Sequence, residues 1–162
     1  GMRQRGSGCI VNLASLAFGV TALHDPSNRN DHVFTQAELQ RAGAVGACVQ
    51  KTAEAEALAE GGVHDITITN QVIAHPKLLR VARLAAHLQT QGGRLALAVD
   101  SAEGIQRLAE AMAQAAPQAR IDVLVEIDVG QGRCGVPPGA PALALAAWAG
   151  SPANADAAAF VV

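Results

Sequence analysis

A chain of 162 residues, half of them apolar and 16% charged, suffices for one domain with a sizeable core and is too apolar for disorder. Its formal charge of −2, without a basic run, leaves no electrostatic footprint for nucleic acid. No apolar stretch reaches the roughly 18 residues that a membrane span needs.

Cys9, Cys48 and Cys134 are an odd, widely spaced set, which argues against a disulfide framework or a zinc knuckle and for reduced thiols in a cytoplasmic protein. The opening GMRQRGSGCIVNLASLAFGV sets arginines before an apolar patch, but Asn12 and Ser15 interrupt it and no clean cleavage site follows, so secretion is not expected. With no Tyr, one Trp and three Phe, small aliphatic side chains must fill the core. Such a core buries less area per residue, so modest stability is expected unless a partner, such as a second copy, covers an open face.

Along the chain, Cys9 to Phe18 reads as a buried strand, followed by the polar loop HDPSNRNDH from His24 to His32. Thr35 with Glu38 makes a capping box for a short helix that Gly43 ends. Ala44 to Gln50 is the next apolar run, and Thr52 is placed to cap the helix EAEALAE, closed by Gly61 and Gly62. His64 to Asn70 alternates with the period of a strand, setting Ile66 and Ile68 on one face. Pro76 suits the first turn of a helix whose Leu78, Val81, Ala82, Ala85 and Leu88 form one stripe up to Gly92 and Gly93. Leu95 to Val99 is a strand, and Asp100 with Glu103 is expected to cap the helix of Ile105, Leu108, Ala109 and Met112. Ile121 to Asp128 reads as the last clear strand and Pro141 to Ala149 as the last helix.

This alternation is the pattern of an α/β protein with parallel strands and right-handed crossovers. Two architectures compete, an open doubly wound sheet and an incomplete β/α barrel. A full barrel takes about 250 residues and a partial one leaves edge strands bare, so physical reasoning by itself favours the open sheet.

Chemistry is expected where parallel strands end. Gln50 and Lys51, Asn70, Asp100, and the segment IDVLVEIDVGQGRCGVPPG with Glu126, Asp128, Gln131 and Arg133 all fall there. Glu126 and Asp128, two apart, read either as an acid/base pair or as a polar strand end with Asp128 bonding loop amides. Arg133 among glycines suits an anionic ligand, with plain solvation as the alternative. Asp100 reads mainly as a helix cap, and Lys51 as an exposed residue rather than a buried nucleophile. Gly130 to Gly135 matches the dinucleotide fingerprint G-x-G-x-x-G, but Pro137 and Pro138 follow where a helix should begin, so a structural turn is preferred. The five histidines have no metal spacing, and no metal site is assigned.

From about Gln40 to Ala144 the chain resembles the D-threonine aldolase and D-serine dehydratase group within the alanine-racemase-like pyridoxal-phosphate enzymes. The segments that carry it are RAGAVGACVQKTAEAEALAEGG, DITITNQV and DVLVEIDVGQGRCGVPPG. The resemblance implies a partial TIM-type β/α barrel, an amino-acid ligand, and pyridoxal phosphate as cofactor. It divides the chain into a divergent strand and loop at 1–34, the barrel domain at 35–150 and a weakly patterned tail at 151–162. It matches Arg133 to an arginine near the cofactor ring oxygen and Gln50 to a polar residue facing the pocket. The family's covalent lysine falls near Asn28 here, and no lysine precedes Lys51, so no catalytic residue is assigned. The resemblance thus implies non-covalent cofactor binding at most, and a truncated or rearranged, inactive relative of a lyase that cleaves D-β-hydroxy amino acids. A shorter stretch, GSGCIVNLASLAFG, is similar to the strand bearing the catalytic serine of NAD(P)-dependent short-chain dehydrogenases, at Ser15. Those enzymes need a tyrosine, and this chain has none.

Overall fold

The computed structural model describes residues 10–13, 16–17, 20–21, 41, 43–150 and 157–161. In chain order these form β1 (Ile10–Leu13), β2 (Leu16–Ala17), β3 (Val20–Thr21), β4 (Ala44–Val49), α1 (Thr52–Glu60), β5 (Asp65–Ile68), α2 (His75–Thr90), β6 (Arg94–Val99), α3 (Ala102–Ala115), β7 (Ile121–Val125), α4 (Ala140–Ala149) and β8 (Ala157–Val161). His24 to His32, Ser15 and the capping box at Thr35 and Glu38 lie outside the described residues.

β1, β4, β5, β6, β7 and β8 form one sheet in that order, every pair parallel, while β2 and β3 pair separately and antiparallel. A doubly wound sheet reverses its strand order at a switch point. Here the six strands of the sheet lie in their chain order without a reversal, which is the winding of a β/α barrel. The chain is α/β, with the architecture of a partial TIM-like barrel; the open-sheet alternative falls on this winding. Strand β8 comes from a stretch with little pattern of its own and takes its register from β7, Ile121 opposite Ala157 through Val125 opposite Val161.

The core lies between one face of the sheet and the helices. Register aligns Val49, Ile68, Leu97 and Val123 in one row and Ala47, Ile66 and Leu95 in another, all buried. Leu78, Val81, Ala82, Ala85 and Leu88 of α2 are buried as a stripe, as are Ile105, Leu108 and Met112 of α3. The helices pack against this face through aliphatic side chains, and the one tryptophan, Trp148, is only partly buried against it. Opposite, Cys48, Thr67, Ala96 and Asp122 align across four strands, a row of small and polar groups.

Two helix starts differ from the sequence reading. Thr52 is the first helical residue of α1 rather than its cap; Lys51 holds that position, and the Glu54 carboxylate accepts from the Gln50 and Lys51 amides at 3.0 and 3.1 Å. Ser101, not Asp100, caps α3, its Oγ accepting from the Gly104 amide at 3.2 Å. Neighbouring residues with equal capping chemistry compete, and a tertiary partner claims Asp100 instead.

At the amino ends of the strands Arg94 pairs with Asp65 at 2.9 Å and Asp122 at 3.5 Å. Burial pushes the Asp122 carboxyl up, and Arg94 only partly offsets it. Between the ordinary carboxylate value of about 4 and that raised value, the folded chain holds a proton that the unfolded chain has released. Stability should therefore fall as pH rises through this window. Urea midpoints across the acid range should show that slope, and Asp122→Asn should flatten it; an unchanged slope refutes the assignment.

Candidate functional site

Because the strands are parallel, their carboxyl ends bring Gln50, Lys51, Asn70, Gln71, Asp100 and Glu126 to one rim. Beyond β7 the chain does not continue as a flat strand. The Glu126 amide still donates to the Val99 carbonyl at 2.8 Å, but the segment then loops out and returns. Val136 donates to the Glu126 carbonyl and Asp128 to the Val136 carbonyl, each at 2.9 Å.

Asp128 organises the loop. Its carboxylate accepts from the Gly130 amide at 2.9 Å and the Gly132 amide at 3.0 Å, and these bonds hold its pKa below the usual carboxylate range. That answers two questions the sequence left open. The amides of the G-x-G-x-x-G stretch point at an internal carboxylate rather than a phosphate, and no helix begins until Ala140, so the stretch is a structural turn. Glu126 and Asp128 are also not a pair on one strand face, because β7 ends at Val125 and each carboxylate has its own partners.

Glu126 joins three segments. Gln71, 55 positions away, donates to its Oε2, and the Cys134 thiol donates to Oε1 at 3.1 Å. The bond to Glu126 raises the thiol pKa, with desolvation adding to it, so Cys134 keeps its proton. Asp100 reaches the same loop, accepting from the Gly135 amide at 3.4 Å. Neither Gln71 nor Cys134 stood out in the sequence; the only signal was that one follows a strand end and the other lies within the glycine loop.

The residues matched to the cofactor are both exposed. Arg133 lies on the loop with no hydrogen bond or ion pair to another described residue. Gln50 lines a cavity of about 320 Å³ with Lys51, Thr52, Asn70, Gln71 and Lys77; Arg133 is not part of that wall. For an anionic cofactor the donor set fits in part. The guanidinium and side-chain amides suit ring oxygens and charged groups, whereas Lys51 and Lys77 are exposed and lack the dry setting that activates an amine. Among the described residues no group of three or more His, Cys, Asp or Glu could hold a metal ion. No helix among them is long and apolar enough to cross a membrane.

The comparisons agree with this architecture. Residues 30–158 match the family model of the alanine racemase N-terminal domain. The chain is 44% identical over 104 residues to a D-threonine aldolase of an Arthrobacter species, covering 64% of this chain and 26% of that protein. It is 40% identical over 94 residues to the 3-hydroxy-D-aspartate aldolase of Paracoccus denitrificans, covering 58% of this chain and 23% of the relative. The crystal structure of D-threonine aldolase from Filomicrobium marinum superposes with a TM-score of 0.65 at 41% identity, over 71% of this chain and 29% of that one. The chain therefore spans about a quarter of the curated relatives it matches. With the family model matched over most of its length, the chain belongs to the alanine racemase N-terminal domain family.

Proposed function

We propose that this chain is a segment of a pyridoxal-phosphate-dependent lyase that cleaves the Cα–Cβ bond of D-β-hydroxy amino acids, and that alone it holds the cofactor without a covalent bond. The observation that carries the reading is the 44% and 40% identity to two aldolases whose substrates, D-threonine and 3-hydroxy-D-aspartate, are both D-amino acids with a hydroxyl on Cβ. When bound, the cofactor supplies an electron sink for the pair left on Cα as the bond breaks. This chain's part is the rim that receives it. Arg133 offers an unengaged guanidinium to an anionic ring oxygen, and Gln50 offers an amide to the cofactor's polar edge. Glu126, fixed by Gln71 and Cys134, holds the loop of Arg133 to the end of β5. The position matched to the covalent lysine falls near Asn28, whose amide nitrogen is not a nucleophile.

Equimolar pyridoxal phosphate followed by borohydride tests this. Peptides containing Lys51 and Lys77 should keep their unmodified masses, the cofactor should dialyse away, and D-threonine should yield no aldehyde. A stoichiometric reduced adduct on either lysine, or release of aldehyde, overturns the inactivity.

A second reading, self-association through open sheet edges, is favoured by the strand order, which leaves β1 and β8 with one neighbour each among the described strands. A tight dimer indifferent to pyridoxal phosphate in sedimentation would support it over the first.

A further inference from the structure

The two residues matched to the cofactor stand on different parts of the rim, Gln50 on the cavity wall after β4 and Arg133 on the loop after β7. Two strands, β5 and β6, separate them in the sheet. A ligand held from both sides needs one fixed relative to the other, and that is the task of the residues behind them.

Gln71 belongs to both parts. It lines the cavity with Gln50, and its Nε2 donates to Glu126 Oε2, past the end of β6. A carboxylate only accepts, so the amide turns its nitrogen to Glu126. The segment bearing Gln71 is tied down on its own side. Thr69 donates to the Val49 carbonyl through its backbone nitrogen at 2.8 Å and its Oγ1 at 3.1 Å, and Val72 is buried.

The backbone of Glu126 is pinned as well, its amide donating to Val99 and its carbonyl accepting from Val136. Its carboxylate oxygens serve two segments, Oε2 taking the bond from Gln71 and Oε1 the bond from the Cys134 thiol, next to Arg133 in the chain. A half-buried carboxylate stripped of one of two protein donors has water as the alternative partner, so the second bond weakens with the first.

We propose that Gln71 is a positioning residue: from the cavity wall it fixes the Glu126 carboxylate, and through Glu126 and Cys134 it sets where Arg133 stands relative to Gln50. Its effect on binding rests on Gln50 and Arg133 receiving the cofactor, as proposed above; the relay itself is a property of the free chain.

The relay is read without ligand, on the full chain, as the pH profile of Cys134 alkylation by iodoacetamide, followed by the mass of its peptide. The bond to Glu126, with desolvation behind it, holds this thiol above its ordinary pKa, and Arg133 offsets that only in part. Gln71→Met keeps an unbranched side chain without the amide and should move the profile to lower pH, toward the ordinary thiol value of about 8.5. Gln71→Asn withdraws the amide by one methylene and should move it the same way, which keeps the test open if the methionine variant does not fold. An unchanged profile in the folded variants overturns the relay.

Binding is the second readout, by equilibrium dialysis of pyridoxamine phosphate, which forms no imine with lysine. Gln71→Met should weaken it roughly tenfold and should add no loss once Glu126 is replaced by alanine. A further loss in the Glu126→Ala background means that Gln71 touches the ligand itself, which overturns the positioning role. An affinity unchanged by Arg133→Gln overturns the cofactor reading instead, and the Cys134 profile still decides the relay.

Discussion

Replacing Gly135 by alanine should lower the stability of the chain by about 3 kcal/mol, the top of the range for a strained backbone position, and should dismantle the loop that carries Arg133. Gly135 has φ +97°, where a side chain is strained whatever the space around it. Space is also lacking: a Cβ would lie 2.6 Å from the Asp128 nitrogen and 2.9 Å from the Ile127 carbonyl carbon, both backbone atoms. Relief requires the returning strand to move off the outgoing one, breaking the bonds between Val136, Glu126 and Asp128. The Asp100 contact to the Gly135 amide goes with them. Gly132 provides the comparison, with φ +63° and nothing within 4 Å of where a methyl group would stand, so Gly132→Ala should cost only the left-handed backbone penalty, about 1–2 kcal/mol. Urea denaturation of the two variants separates these contributions. Equal losses would show that the close approach at Gly135 is not what holds the loop.

Ile66→Ala should cost about 2–5 kcal/mol, the range for emptying a packed aliphatic site. Ile66 has no exposed surface and stands on β5 between Ala47 and Leu95 in register. It belongs to the continuous core cluster that the buried faces of α1 and α2 share with the sheet. The loss is read as a shift of the denaturation midpoint with unchanged slope. Leu143→Ala, at a site 67% exposed, should stay within about 0.5 kcal/mol. A comparable loss at both sites would contradict the placement of the core.

Much of this was legible from residue order. The strands β4 to β7 and helices α1 to α4 follow from apolar periodicity and glycine stops, and their alternation dictates parallel pairing. Parallel pairing in turn gathers Gln50, Asn70, Asp100 and Glu126 at one rim before any side-chain position is known. What could not be read were choices among chemically equal partners. Asp100 and Ser101 can both cap a helix, and the bond from Asp100 to Gly135 decides between them only once two loops 35 residues apart have met. The glycine fingerprint had the right letters, but the carboxylate that fills its amides precedes it by two residues and belongs to the same turn. Gln71 with Glu126 is a juxtaposition made by the sheet, without a spacing that signals it. Strand β8 is an alanine-rich segment with no alternation to reveal it, and its pairing to β7 supplies what its own sequence lacks.

The sheet adds its strands in the order in which a ribosome would deliver them. From β5 onward every new strand finds its neighbour already made and sitting at the growing margin, with only one helix to close between them. Assembly can thus proceed by accretion from the amino-terminal side, each finished unit templating the next. A lesion early in the series, such as one in β5, would leave the later units without a surface to dock on, whereas one in β8 would spare everything emerging before it.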